Sequence, residues 1–156
     1  MISPELLRRY PFFGTLNDTE LKEIAMITDE AEFKHGTTLF NEGQPAEMLY
    51  FLLDGSIDLF YIAEEQYHPE TRKEFNVGEI NPGEVFAISS VIEPYVYTST
   101  ARVDKDCRVL KIRSEALRGL LGKDCPLGYK LMRQIAHAAI QRLGAARVLL
   151  AGCNEK

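Results

Sequence analysis

The sequence predicts a mainly β fold, a sandwich or barrel of about eight short strands, with helices at both ends. Two observations carry this. Between Ala31 and Arg113, runs of apolar and β-branched residues are broken by Gly, Asp or Pro about every 8–12 residues, the spacing of an all-β unit. On either side the apolar period changes from the strand repeat to the helical one. Length sets the scale: 156 residues correspond to one domain spanning 1–156. A chain of that size buries about 68–70% of its unfolded surface without disulfides or a metal.

The elements follow in order. Tyr10-Pro11-Phe12-Phe13-Gly14 reads as an apolar turn against the core. Asn17 is a good helix N-cap, and Glu20 three residues later completes a capping box. Leu16 and Leu21 stand at the two positions of a hydrophobic staple. Leu21, Ile24 and Ala25 then repeat at helical spacing, which predicts a helix from residue 18 to about 28.

Strands are expected at Ala31–Lys34, Thr37–Asn41, Leu49–Leu53, Ser56–Tyr61, Lys73–Ile80, Val85–Ala87, Tyr97–Val103 and Cys107–Ile112. Asp54-Gly55 between the third and fourth is the strongest hairpin signal in the chain. Residues 64–72 read as a polar hairpin loop. Ser114 is the expected N-cap of a short helix that Gly122 ends. Pro126 opens a long helix to about Ala151. The β region is thus bounded at about 31–113 and the C-terminal helices at about 114–151. On the long helix Met132, Ile135, Ala139, Ala146 and Leu149 form a heptad-like seam, with Arg142 in its gap.

Composition excludes several classes. The apolar share of 46% and the charged share of 26% do not suit a disordered tail, a fibre or a disulfide scaffold. No apolar run is long enough for a membrane span, and the first residues lack the apolar core of a signal peptide. A net charge of −5 argues against a nucleic-acid surface. Cys107, Cys125 and Cys153 are odd in number and unpaired in spacing, as free thiols in a reducing cytoplasm would be. His35, His68 and His137 are scattered, so no metal site is expected. No nucleophile elbow, Walker loop or dinucleotide fingerprint occurs, and no enzyme activity is expected.

One segment carries a specific signature. From Phe33 it runs through Gly36, Leu39-Phe40, Glu42-Gly43, Ala46, Leu49 to Leu53, Gly55, Ile57 and Leu59. This resembles the front half of the cyclic-nucleotide-binding domain family, which includes the catabolite activator protein, protein kinase A regulatory subunits and cyclic-nucleotide-gated channels. The resemblance extends over about residues 6–151. It implies an eight-stranded β-roll of jelly-roll type, with N-terminal helices and a long C-terminal helix. It also implies a ligand cassette between the sixth and seventh strands. That stretch opens Pro82-Gly83-Glu84-Val85-Phe86, as the family does, and continues through Ala87, Ile88 and Ser89 to Tyr97, Thr98 and Ser99.

The cassette departs from the family where nucleotide is held. Ala87 and Ile88 stand where nucleotide-binding members have Gly and the Glu that accepts from the ribose hydroxyl. Tyr97 stands where they have the Arg that pairs with the cyclic phosphate, while Thr100 is kept. Each charge-assisted hydrogen bond contributes about 1.5–3 kcal/mol, so losing two predicts weak or lost cyclic-nucleotide binding. A register using Gly83-Glu84 instead would put Glu93 at the Arg position; Phe86 and Thr100 favour the first register. Arg102 lies two residues past Thr100 and is expected to be solvated rather than a phosphate ligand.

The function expected is a non-catalytic regulatory or sensor domain. Its candidate ligand residues are Phe86, Ala87, Ile88, Ser89, Tyr97, Thr98 and Ser99, with no cofactor other than a doubted cyclic nucleotide. Three alternatives stay open: a cassette filled by its own Tyr95 or Tyr97, a cyclic-nucleotide or other small-anion sensor with a repurposed pocket, and a ligand-free dimerisation or scaffold module. A jelly-roll enzyme of cupin type would need clustered metal ligands that the sequence lacks. The expected partners are a second copy through the seam and a signalling protein. With five residues after Ala151, no helix-turn-helix is expected.

Overall fold

The computed structural model describes residues 1–65 and 68–154, with the side chains of residues 64–71 outside the description. Helix α1 (Pro4–Arg8) is capped by Ser3 and leads into a single 3₁₀ turn at Pro11–Phe13, which buries Phe12 and Phe13. Helix α2 (Asp18–Met26) starts with the expected capping box: the Glu20 amide donates to the Asn17 side chain at 2.9 Å, and the Asn17 amide donates to Glu20 at 2.8 Å. Leu16 and Leu21 are both buried in the same apolar cluster, as a staple requires. Helix α1 accounts for the plural N-terminal helices that the resemblance implies; at 5 residues it is too short to show a period in the sequence.

Among the described residues six antiparallel strands follow: β1 (Thr28–Phe33), β2 (Thr38–Phe40), β3 (Met48–Glu65), β4 (His68–Ile80), β5 (Val85–Phe86) and β6 (Thr100–Arg113). The order is β1-β6-β3-β4, with β2 paired to β6 and β5 paired to β3. The eight expected strands become six because two pairs of them are halves of one long, kinked strand. Leu49–Leu53 and Ser56–Tyr61 both lie in β3, and Tyr97–Val103 and Cys107–Ile112 both fall largely in β6. The pairing of the two long strands slips in register between Leu52 and Ile57.

The Asp54-Gly55 hairpin is therefore corrected. The chain does not turn back there; β3 continues along β6, from Leu52 opposite Val109 to Ile57 opposite Val103, with successive slips of register. Gly55 has φ +92, the left-handed value expected of a bulge glycine. The 64–72 loop is shortened likewise. Strand pairing continues to Ala63 opposite Lys73 and Glu65 opposite His68, and Gln66 and Tyr67 lie outside the described residues.

Two apolar clusters result. In β3, Leu49, Phe51 and Leu53 face the helices, whereas Tyr50 and Leu52 point into the roll with Ile57, Phe86 and Val109. A continuous apolar run is what a strand buried on both faces requires. Helix α3 (Ser114–Lys123) begins one residue earlier than expected. Arg113 is its N-cap and Ser114 its first buried residue; Gly122 lies inside it. Helix α4 (Cys125–Asn154) has 30 residues and extends about 45 Å at 1.5 Å per residue. Its buried residues, Leu127, Gly128, Leu131 and Ile135, all lie in its first three turns.

Candidate functional site

The cassette is built on β5. Leu52 and the 83–84 turn exchange backbone hydrogen bonds of 2.8 and 3.0 Å, which fix Val85-Phe86 on β3. Phe86 is fully buried in the roll. Ala87 then takes a left-handed φ of 63, and one 3₁₀ turn covers Ile88–Val91. A left-handed residue at this step suits the Gly of nucleotide-binding members; Ala87 holds the same conformation at a strain of about 1–2 kcal/mol. The turn begins at Ile88, directly after the left-handed Ala87. Glu84 sits in the preceding turn and accepts from the Asn81 amide at 2.6 Å.

The return limb is tied to the loop before β3. The Tyr97 amide donates to Gln44 at 3.0 Å, the Gly43 amide to Tyr97 at 2.8 Å, and the Ala46 amide to Tyr95 at 2.8 Å. Tyr97 turns inward. Its ring stacks on Phe40 with centroids 3.9 Å apart, next to Tyr50 and Phe86. Its hydroxyl donates to the Met48 carbonyl at 3.1 Å and accepts from the Met48 amide at 3.2 Å. Burial pushes the Tyr97 hydroxyl above its ordinary pKa and raises Tyr50 to about 12, so both stay neutral. The kept Thr100 is buried and accepts from the Glu42 amide at 3.0 Å.

A cavity of about 240 Å³ remains in front of the cassette. Phe40, Leu59, Ala87 and Ile88 form its apolar wall, and the hydroxyl-bearing residues Ser89, Thr98 and Ser99 also line it. Five of the seven expected ligand residues thus line one space. Phe86 lies beneath it and Tyr97 points away into the core. Neither Tyr95 nor Tyr97 fills the cavity: Tyr95 lies outside, with the Arg118 guanidinium 3.9 Å above its ring. Arg118 also donates to the Ser90 carbonyl at 2.9 Å, which fastens the cassette to α3.

Arg142 closes the cavity from α4, beside Ala139. Its guanidinium donates to the Val85 carbonyl. Burial pulls its pKa down, against the smaller pull of the Glu84 charge, yet Arg remains charged at any ordinary pH. Sequence reasoning placed Arg142 only on the helix seam; nothing local in the sequence says that this turn of α4 faces the cassette. Arg102, expected to be solvated, is instead half-buried and paired. It makes a forked pair with Glu74 at 3.0 and 3.1 Å, over the Phe60 ring, away from the cavity.

The expected seam divides. Ile135 is buried in the chain's own core, so it is corrected from an intermolecular to an internal role, and Met132 packs partly on the same cluster. Ala139, Ala146 and Leu149 are exposed.

A β-roll with a cassette between β5 and β6, followed by a long C-terminal helix, is the architecture of cyclic nucleotide-binding domains. The chain belongs to the cyclic nucleotide-binding domain family, whose pattern matches residues 30–124. It is similar to the CRP-like cAMP-activated global transcriptional regulator of Mycobacterium tuberculosis, with 24% identity over 85% of this chain and 56% of that protein. The chain thus spans about half the length of that curated relative. A solved structure of a candidate cyclic nucleotide-binding protein from Geobacter metallireducens matches with a TM-score of 0.79 and 40% identity, covering 92% of this chain and 99% of the other. The regulatory subunit of a cAMP-independent protein kinase A from Trypanosoma brucei shares the fold at a TM-score of 0.71 and 17% identity, over 96% of this chain and 49% of the other. No helix among the described residues is long and apolar enough to cross a membrane.

Proposed function

We propose that the chain is a non-catalytic regulatory domain whose cassette binds cyclic nucleotide weakly or not at all and whose long helix joins two copies. One observation carries the first half. Tyr97, at the position of the phosphate Arg, is held in the core by Phe40 and by both backbone groups of Met48. That strand position therefore presents no cation to the cavity. Ile88 likewise presents no acceptor for a ribose hydroxyl, and its side chain packs partly on the helical core.

Titration calorimetry with cyclic AMP tests this. The expected result is no binding tighter than about 100 μM, roughly −5.5 kcal/mol. A low-micromolar dissociation constant at physiological salt would overturn it.

The second half rests on the outer part of α4. Past Ile135 the helix has no buried residue, and Ile140, Leu143 and Leu150 are at least half exposed at heptad spacings of 3 and 7. The occupant best suited to such a stripe is the same helix of a second copy, with Ala139 and Ala146 on its flank allowing close approach. A signalling protein is the further partner that a regulatory domain would address. The exposed Cys125 and Cys153 thiols are free, which supports a reducing, cytoplasmic setting.

A further inference from the structure

Arg142 is a cation in an unusual place. It is half-buried between two cavities, and among the described residues no carboxylate lies within ion-pair distance of it. Its hydrogen bond goes to a neutral carbonyl, that of Val85. Glu84, the nearby acidic group, lines the neighbouring cavity and is engaged by the Asn81 amide. A partly desolvated guanidinium whose hydrogen bond goes only to a neutral carbonyl gains most from an oxyanion, whose two oxygens match its planar fork.

We infer that the cassette cavity takes a small organic anion, with Arg142 of the long helix receiving the oxyanion that the strand position of Tyr97 cannot. The inference deepens the regulatory reading above and rests on it for the role of the pocket. The lining defines the ligand class. An oxyanion head, phosphate or carboxylate, faces Arg142 and the hydroxyls of Ser89, Thr98 and Ser99. A compact apolar body lies against Phe40, Leu59 and Ile88. At about 240 Å³ the space is smaller than the roughly 300–1,000 Å³ of drug-sized sites, so the body is no larger than about one ring. The cation belongs to α4, whose outer turns carry the proposed dimer stripe. A ligand that draws Arg142 from the Val85 carbonyl therefore acts directly on the helix that joins two copies.

The probe is phenyl phosphate, with phenol as its neutral counterpart, titrated into the full chain by calorimetry and followed by amide NMR shifts. Phenyl phosphate is expected to bind measurably and phenol at least about tenfold more weakly, a difference of about 1.4 kcal/mol. Shifts should centre on Ala87–Ser89 and Thr98-Ser99. Arg142→Gln should weaken phenyl phosphate at least tenfold, and Arg142→Lys less, because it keeps the charge and loses the fork. Arg133→Gln, on an early turn of the same helix, should change nothing. Thr98→Val, an exposed position with no core packing, is the second variant and should cost several-fold. The inference is overturned if phenyl phosphate fails to bind, if Arg142→Gln binds it as the wild type does, or if the shifts map elsewhere. Cyclic AMP separates the two proposals. Tight cyclic AMP binding that Arg142→Gln abolishes defeats the weak-nucleotide reading and leaves this one standing. Weak cyclic AMP binding with Arg142→Gln indifferent to phenyl phosphate does the reverse.

Discussion

Gly55 shows how one residue kinks a long strand. An added Cβ there would meet the Asp106 carbonyl and lie 2.8 Å from the Cys107 Cα, and φ is +92. Strain and overlap both act on backbone that cannot yield without breaking β3–β6 pairing. Gly55→Ala is therefore expected to destabilise the chain by about 2 kcal/mol or more, measured by urea denaturation. A loss below about 0.5 kcal/mol would mean that the bulge relaxes freely. The sequence marked Gly55 as a left-handed position correctly but assigned it to a hairpin. The same Asp-Gly pair serves a turn or a bulge, and only the strand it lies against decides which.

Among elements, α2 is joined to α4 through a buried ion pair. Glu20 is only 4% exposed, and the Lys130 ammonium stands 2.8 Å from its carboxylate. Burial pushes the Glu20 carboxyl up, but the Asn17 amide and the Lys130 ammonium together outweigh it and hold the pKa below its ordinary value. A depressed folded pKa gives stability that is full above the ordinary carboxylate value and is lost as pH falls through the lower folded one. Lys130→Met removes one support from that carboxylate. It is expected to cost about 1–2 kcal/mol at pH 7, since the Lys end is partly solvated and screened. The deficit should shrink as denaturation is repeated at progressively lower pH through the carboxylate range. A deficit independent of pH would show that Lys130 acts through packing alone. The capping box at Asn17 was legible because it is local; the reach of Glu20 to Lys130 spans 110 residues and has no sequence signal.

For the whole molecule, the proposed pairing of two copies rests on the outer half of α4. A stripe of Ile140, Leu143 and Leu150 beyond the body of the chain predicts a dimer at about 50 μM in sedimentation, above the micromolar range of a specific pair. Leu143→Glu, at a position 51% exposed and outside both core clusters, should give a folded monomer. A monomeric wild type, or a dimer that Leu143→Glu leaves intact, would refute the helix pairing. Ile135→Glu would be the wrong test, because Ile135 belongs to the chain's own core.

The sequence by itself determined the β-rich middle, its flanking helices, the family signature and the cassette positions that depart from it. All of these are written in local period, turn residues or contiguous motifs. Tertiary structure alone decided that eight runs form six strands, because a bulge and a hairpin begin alike and differ only in what lies opposite. It decided that Tyr97 faces the core, since an amphipathic ring suits either side of a strand until a neighbour such as Phe40 claims it. It also decided that Arg142 faces the cassette while Ile135 faces inward. The direction of each turn of a long helix depends on where the helix meets the sheet, and that contact joins residues far apart in the chain.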